Sequence, residues 1–265
     1  MKESDKLKDL IENTKIKIKR NSFFVDNESR DLEFDANFQI QPRDFLEYAK
    51  KDFLQGDERG KVNAISNIKK AIDAQIDRVI EFLGYDYKKF DQDKMLIEQI
   101  NQLQLDAGRK NVEPFKLNFI NALDMVPVKL VREIREVRNE LKHEYIMPNK
   151  LEIEKSLEIA ELFINNTNYK MFSIFLQDYN VTNEYKENKP KIPIPFLSVM
   201  YESVEGIFKL RYYDNDFESG DILITNKDEE YIFLVKASIS HDMYYLARIF
   251  SKCIPKDKVH FKIIK

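Results

Sequence analysis

The chain has 265 residues, 43% of them hydrophobic and 34% charged, enough for a sizeable core in one large or two modest domains. Its net charge of −3 at pH 7 leaves no whole-chain signature of nucleic-acid binding, so any such contact has to be local. A single cysteine, Cys253, excludes an internal disulfide and a multi-cysteine zinc site.

The start, MKESDKLKDLIENTK, is too charged for a signal peptide, and no apolar run is long enough for a bilayer, so a cytoplasmic location without membrane contact is expected. Residues 1–14 read as a charged helical lead. Lys15–Arg20 alternates cation and Ile at period 2, as a short exposed strand would. Phe34, Ala36, Phe38 and Ile40 alternate similarly up to Pro42, and residues 1–41 are taken as an N-terminal extension.

Residues 42–178 read as an antiparallel helical bundle. Phe45, Ala49 and Phe53 mark one face of a helix that follows Pro42. From Val62, Ile65, Ile68, Ile72, Ile76, Val79 and Leu83 recur at threes and fours, with Gly84 as the stop. A third helix is expected around Lys94–Leu105 and a short one in FKLNFINALDMV. Leu130, Ile134, Val137 and Leu141 form the stripe of a helix expected to run until Pro148. Ile153, Leu157, Ala160 and Ile164 repeat that spacing in a last long helix.

Residues 179–195, with Pro190, Pro193 and Pro195, read as a linker. Residues 196–265 then carry β signals in GIFKLRYY, DILIT and EYIFLVKA, the last two joined by NKDE as a hairpin. HDMYYLARIFSKC returns to helical spacing and KVHFKIIK closes with a period-2 strand. The expected fold class is therefore mainly α: a bundle followed by a small α+β domain of unassigned role.

Conventional catalytic hardware is sparse. His143, His241 and His260 show no metal-ligand spacing, so no metal site is assigned. Six scattered glycines form neither G-x-G-x-x-G nor a Walker loop, and G-x-S-x-G is missing. The segment RNELKHEY, Arg138 to Tyr145, stands out by contrast. Arginine offers a permanent planar cation for phosphate, and histidine, with an unperturbed pKa of about 6.5, shuttles protons near neutrality. Metal-free RNA cleavage by 2′-hydroxyl attack needs these two functions and no cofactor. Asn139 adds a neutral hydrogen bond, and Arg135 and Lys142 are candidate RNA contacts.

A helical bundle with Arg138, Asn139 and His143 on a late helix resembles the HEPN superfamily, whose ribonucleases carry an R-x(4–6)-H motif. The resemblance covers roughly residues 40–175. With Tyr145 the pattern becomes R-x4-H-x-Y, similar to HEPN toxins paired with minimal nucleotidyltransferase antitoxins. It implies an all-α catalytic domain, a toxin or anti-phage endoribonuclease, a homodimer with paired motifs, an RNA substrate, and Tyr145 as the site of inactivating nucleotidylylation.

Helix geometry sets a condition on this. Arg138 and His143 lie about 140° apart on a straight helix, so the helix distorts, ends at His143, or the site draws on two protomers. Three alternatives stand open. One is a non-catalytic HEPN module that binds nucleic acid or a partner protein, and another is an unrelated helical interaction protein. In the third, Arg138, Lys142 and Glu144 form a solvated face, His143 sits favourably at a helix C-terminus and Tyr145 is a half-buried anchor.

Overall fold

The computed structural model describes residues 23–27, 34, 36–111, 114–126, 128–182, 195–215, 220–242, 244–250 and 261–264. The expected lead helix at 1–14, the alternating Lys15–Arg20, Cys253 and His260 lie outside them. The described residues are mainly helical, with one small sheet. Among them no helix is long and apolar enough to cross a membrane. They fall into two compact units, which differ from a simple N-to-C division. A helical unit lies within Asp35–Glu81 and Asp86–Ser173, and a sheet unit within Met1–Phe34, Phe82–Tyr85 and Ile174–Lys265.

The helical unit follows most of its apolar stripes, although Phe45 and Phe53 stay half-buried where Leu46 and Ala49 are buried. Helix α1 (Pro42–Leu54) starts with Pro at its first position, where a missing N–H costs nothing, and the Asp44 carboxylate accepts the Gln41 N–H at 2.8 Å. Helix α2 (Glu58–Phe82) buries Ile65, Ile68, Ile72, Ile76 and Val79 on one face. Helices α3 (Lys94–Asp106) and α4 (Phe115–Ala122) pack together. Buried Gln104 crosses between them, donating to the Asn118 side chain at 2.6 Å. Helix α5 (Val128–Asn139) packs on α6 (Lys150–Tyr169), which also packs on α1. Asn149 and Glu152 cap α6 reciprocally, each side chain accepting the other's N–H at 3.0 and 2.8 Å. Ile134 on α5 and Ile153, Ala160 and Ile164 on α6 are buried as their spacing requires.

Among the described residues the sheet unit has six strands, in the order β5-β4-β3-β2-β1-β6. Strands β1 (Phe23–Asn27) and β6 (Phe261–Ile264) pair in parallel, and every other neighbouring pair is antiparallel. Strands β3 (Phe196–Glu202) and β4 (Ile207–Tyr213) bury alternate residues, Val199 standing opposite Leu210. Strand β2 (Asp178–Thr182) is buried along its whole length, and β5 (Ile222–Ile224) is the short edge.

Several sequence expectations are corrected here. The stretch taken as an N-terminal extension supplies β1 to the sheet, and the stretch taken as a linker begins with β2. The described residues Phe34 and Ala36–Ile40 form no strand; Phe38 instead packs edge-on against Tyr87. EYIFLVKA is the start of helix α7 (Tyr231–Ser240), not a strand. It buries Tyr231, Ile232, Leu234, Val235, Ala237 and Ile239, so apolar residues surround it on nearly all sides. NKDE is accordingly a turn into that helix, the Asp228 carboxylate accepting from the Thr225 N–H and hydroxyl at 2.8 and 2.9 Å. Helix α8 (Tyr244–Phe250) and strand β6 follow the expected order.

Residues 82–85, where α2 ends, belong to the sheet unit. A helix leaves its last carbonyls without partners. Here the Tyr201 phenol donates to Phe82 O, the single Tyr231 O–H is shared between Leu83 O and Gly206 O, both at 2.8 Å, and the Asn226 amide donates to Gly84 O. Burial raises the pKa of both phenols, which keeps them protonated as donors. Gly84 and Gly206, both at positive φ, let the two backbones touch: a Cβ on Gly84 would come within 2.5 Å of the Gly206 carbonyl oxygen.

Candidate functional site at the end of helix α5

Helix α5 is amphipathic. Val131 and Ile134 are buried, Arg135, Val137 and Arg138 are half-buried, and Arg132, Glu136 and Asn139 are exposed. The α-helix does not continue to Pro148. It gives way at Glu140–Glu144 to a π turn, which ends because Tyr145 takes a left-handed conformation, φ 58°. The N–H of Tyr145 reaches back five residues to Glu140 O, which also accepts the Ile146 N–H at 3.3 Å. No glycine or proline announces this stop. A tyrosine occupies a conformation that residues other than Gly, Asn and Asp seldom adopt.

The π turn bears directly on the motif. An α-helix puts positions five apart about 140° from each other. An i→i+5 hydrogen-bonded turn holds more residues, so each advances through a smaller angle and positions five apart draw toward one face. Most of the path from Arg138 to His143 lies in this turn. Of the options left open by the sequence, helix distortion is the one observed.

His143, Asn139 and Lys142 are exposed, Arg138 and Arg135 are half-buried, and Tyr145 is 86% exposed rather than a half-buried anchor. No hydrogen bond or ion pair among the described residues engages the side chains of Arg135, Arg138, Asn139, Lys142, His143 or Tyr145. Their donors are therefore open to a ligand. Arg135 and Arg138 lie about 60° apart on α5, with Glu136 about 100° or more from either. On the other flank, Glu133 is held by Lys155 at 2.7 Å, and that ammonium keeps the Glu133 carboxyl below its usual pKa. The Arg135–Arg138 edge thus faces solvent as a short cationic patch.

Ile146 and Met147, 51% and 38% exposed, extend the apolar surface from Tyr145 to the cap of α6. The pair lies outside the R-x4-H-x-Y pattern, and its signal in the sequence is the apolar run Tyr145–Met147 just before Pro148. Polar residues elsewhere among the described ones do not join the site. Asn67 donates to Asp52 at 2.8 Å and Asp73 pairs with Lys69, both within the helical unit. His241 caps α7 in a left-handed conformation, its Nε2 2.6 Å from Ile174 O. No three His, Cys, Asp or Glu among the described residues group as a metal ion needs.

No family model, curated protein or solved structure matches the chain.

Proposed function

We propose that the chain is a metal-independent endoribonuclease of the HEPN type, acting as a toxin or anti-phage effector. The observation that supports this is the π turn that lies between Arg138 and His143, at an exposed helix end where neither side chain has a hydrogen-bond or ion-pair partner among the described residues. In the proposed reaction His143 takes the proton of a ribose 2′-hydroxyl, whose oxygen bonds to the adjacent phosphorus. The bond from phosphorus to the 5′-oxygen breaks, and that oxygen takes a proton from water, leaving a 2′,3′-cyclic phosphate and a 5′-hydroxyl. Arg138 neutralises the charge that grows on the phosphoryl oxygens, and Asn139 supplies a further hydrogen bond. Arg135 and Lys142 hold the flanking RNA backbone.

The active form is a homodimer with two motif turns near its two-fold axis, where each open helix end gains a second wall from its copy. Tyr145 is the site at which a nucleotidyltransferase antitoxin attaches a nucleotide. Its 86% exposure supports access, and an added phosphate beside Arg138 would compete with RNA for the cation. A second reading, a non-catalytic module that docks a partner protein, draws on the exposed Tyr145, Ile146 and Met147.

The deciding experiment incubates the full chain with RNA in EDTA beside His143→Ala. Cleavage to cyclic-phosphate ends that falls about 10²–10⁴-fold in the variant, at an unchanged melting temperature, is expected. Full activity in His143→Ala, or RNA left intact by a dimeric wild type, overturns the enzyme and leaves the docking module.

A further inference from the structure

A second concave region lies away from the motif, within the helical unit. Val126, Val131 at the start of α5, and Ile159, Leu162, Phe163 and Tyr169 of α6 line an apolar chamber of about 400 Å³. It shares Val126 and Asn166 with a polar mouth of about 470 Å³, whose wall includes Arg109, Asn121, Asp124 and Lys170. Each volume is that of an ordinary small-molecule site, which is mostly apolar with a few placed polar groups.

From these we infer a binding site for a small amphiphile with one anionic head, its tail in the chamber and its head at Lys170. The tail follows from the lining. Val126, Val131, Ile159 and Phe163 are buried, while Leu162 and Tyr169, seven residues apart and so nearly on one face of α6, remain 63% and 55% exposed at the rim. A bound chain removes that rim from water, which is the driving force for the tail.

The head follows from the charges. The Arg109 guanidinium is already committed, to the Asp124 carboxylate at 2.5 Å and Asn121 O at 2.7 Å. The Lys170 ammonium has no acidic partner among the described residues, so the mouth keeps one unmatched positive charge. Asn166 donates to Met125 O at 3.1 Å, which fixes the wall between chamber and mouth. The backbone is irregular on both sides of this mouth. Helix α6 passes into its own π turn at Lys170–Ile174, and Asp124 stands in the left-handed region, φ 58°. Both irregularities are frequent where ligands are held. Neither Lys170 nor the chamber belongs to the ribonuclease reading, so the two proposals fail independently.

The test is calorimetry on the full chain with three ten-carbon probes below their micellar concentrations: decanoate, 1-decanol and decyltrimethylammonium. Decanoate should bind saturably at one site per chain, ahead of the alcohol, with the cation weakest. Lys170→Glu, at a half-exposed position, should weaken decanoate about tenfold or more and leave 1-decanol and the melting temperature unchanged. Leu162→Gln, at the exposed rim, should weaken both decanoate and 1-decanol. An absence of saturable binding, equal affinity for all three probes, or affinity unmoved by both substitutions overturns the inference.

Discussion

At the end of α2 each carbonyl from Phe82 to Gly84 accepts a hydrogen bond from a side chain of the sheet unit, whereas the turn that ends α5 closes on its own backbone and leaves its side chains to solvent. Both ends meet the same demand, partners for the last carbonyls of a helix. The first spends buried tyrosines on it, and those tyrosines can do nothing else. The second uses the N–H groups of Tyr145 and Ile146, which frees Arg138, Asn139 and His143 for an external partner. Commitment and availability thus separate a structural helix end from a candidate functional one.

Substitutions at the two ends should therefore separate stability from activity. The largest expected effect is Gly206→Val, which forces a branched side chain into positive φ and into the backbone of Gly84. A loss of about 3 kcal/mol or more in urea unfolding is expected, and an unchanged midpoint would mean the two glycines do not touch. Next, Arg138→Lys keeps the charge but loses the planar fork, and RNA cleavage should drop about a hundredfold with stability intact. A fall in stability there would place Arg138 among the structural residues.

Tyr231→Phe removes the donor shared by Leu83 O and Gly206 O and should cost about 2 kcal/mol by the same unfolding assay. The smallest effect is Tyr145→Gly, which relieves the left-handed strain at an exposed position and should stabilise by up to about 1 kcal/mol. Destabilisation instead would mean that the Tyr145 ring is held by a second copy of the chain.

What could be read ahead of the structure was what local spacing determines. Helices α2 and α6 repeat apolar residues at threes and fours over many turns, and strand β4 alternates, so both periods were visible. Helix α7 was not legible, because a short helix that is apolar nearly all round has the composition of a buried strand. Pairing between β1 and β2 was invisible for another reason: partners some 150 residues apart leave no periodic mark. At the site, the position of Arg138 and His143 near a helix end was legible. The π turn was not, since it depends on a left-handed Tyr145 that no turn-forming residue signals, and Pro148 drew the expected boundary three residues too far.

The pairing of β1 with β2 and β6 also imposes a timetable on synthesis. The strand made earliest among the described residues waits for Asp178–Thr182 and finally for Phe261–Ile264, while everything needed for the helical unit has been translated by Ser173. At about 5–20 residues per second, β1 spends roughly ten seconds or more on the ribosome with both edges unpaired. An unpaired strand is an aggregation hazard that has to be sheltered until its partners arrive. The helical unit, and with it the motif, is complete in sequence before the sheet can close.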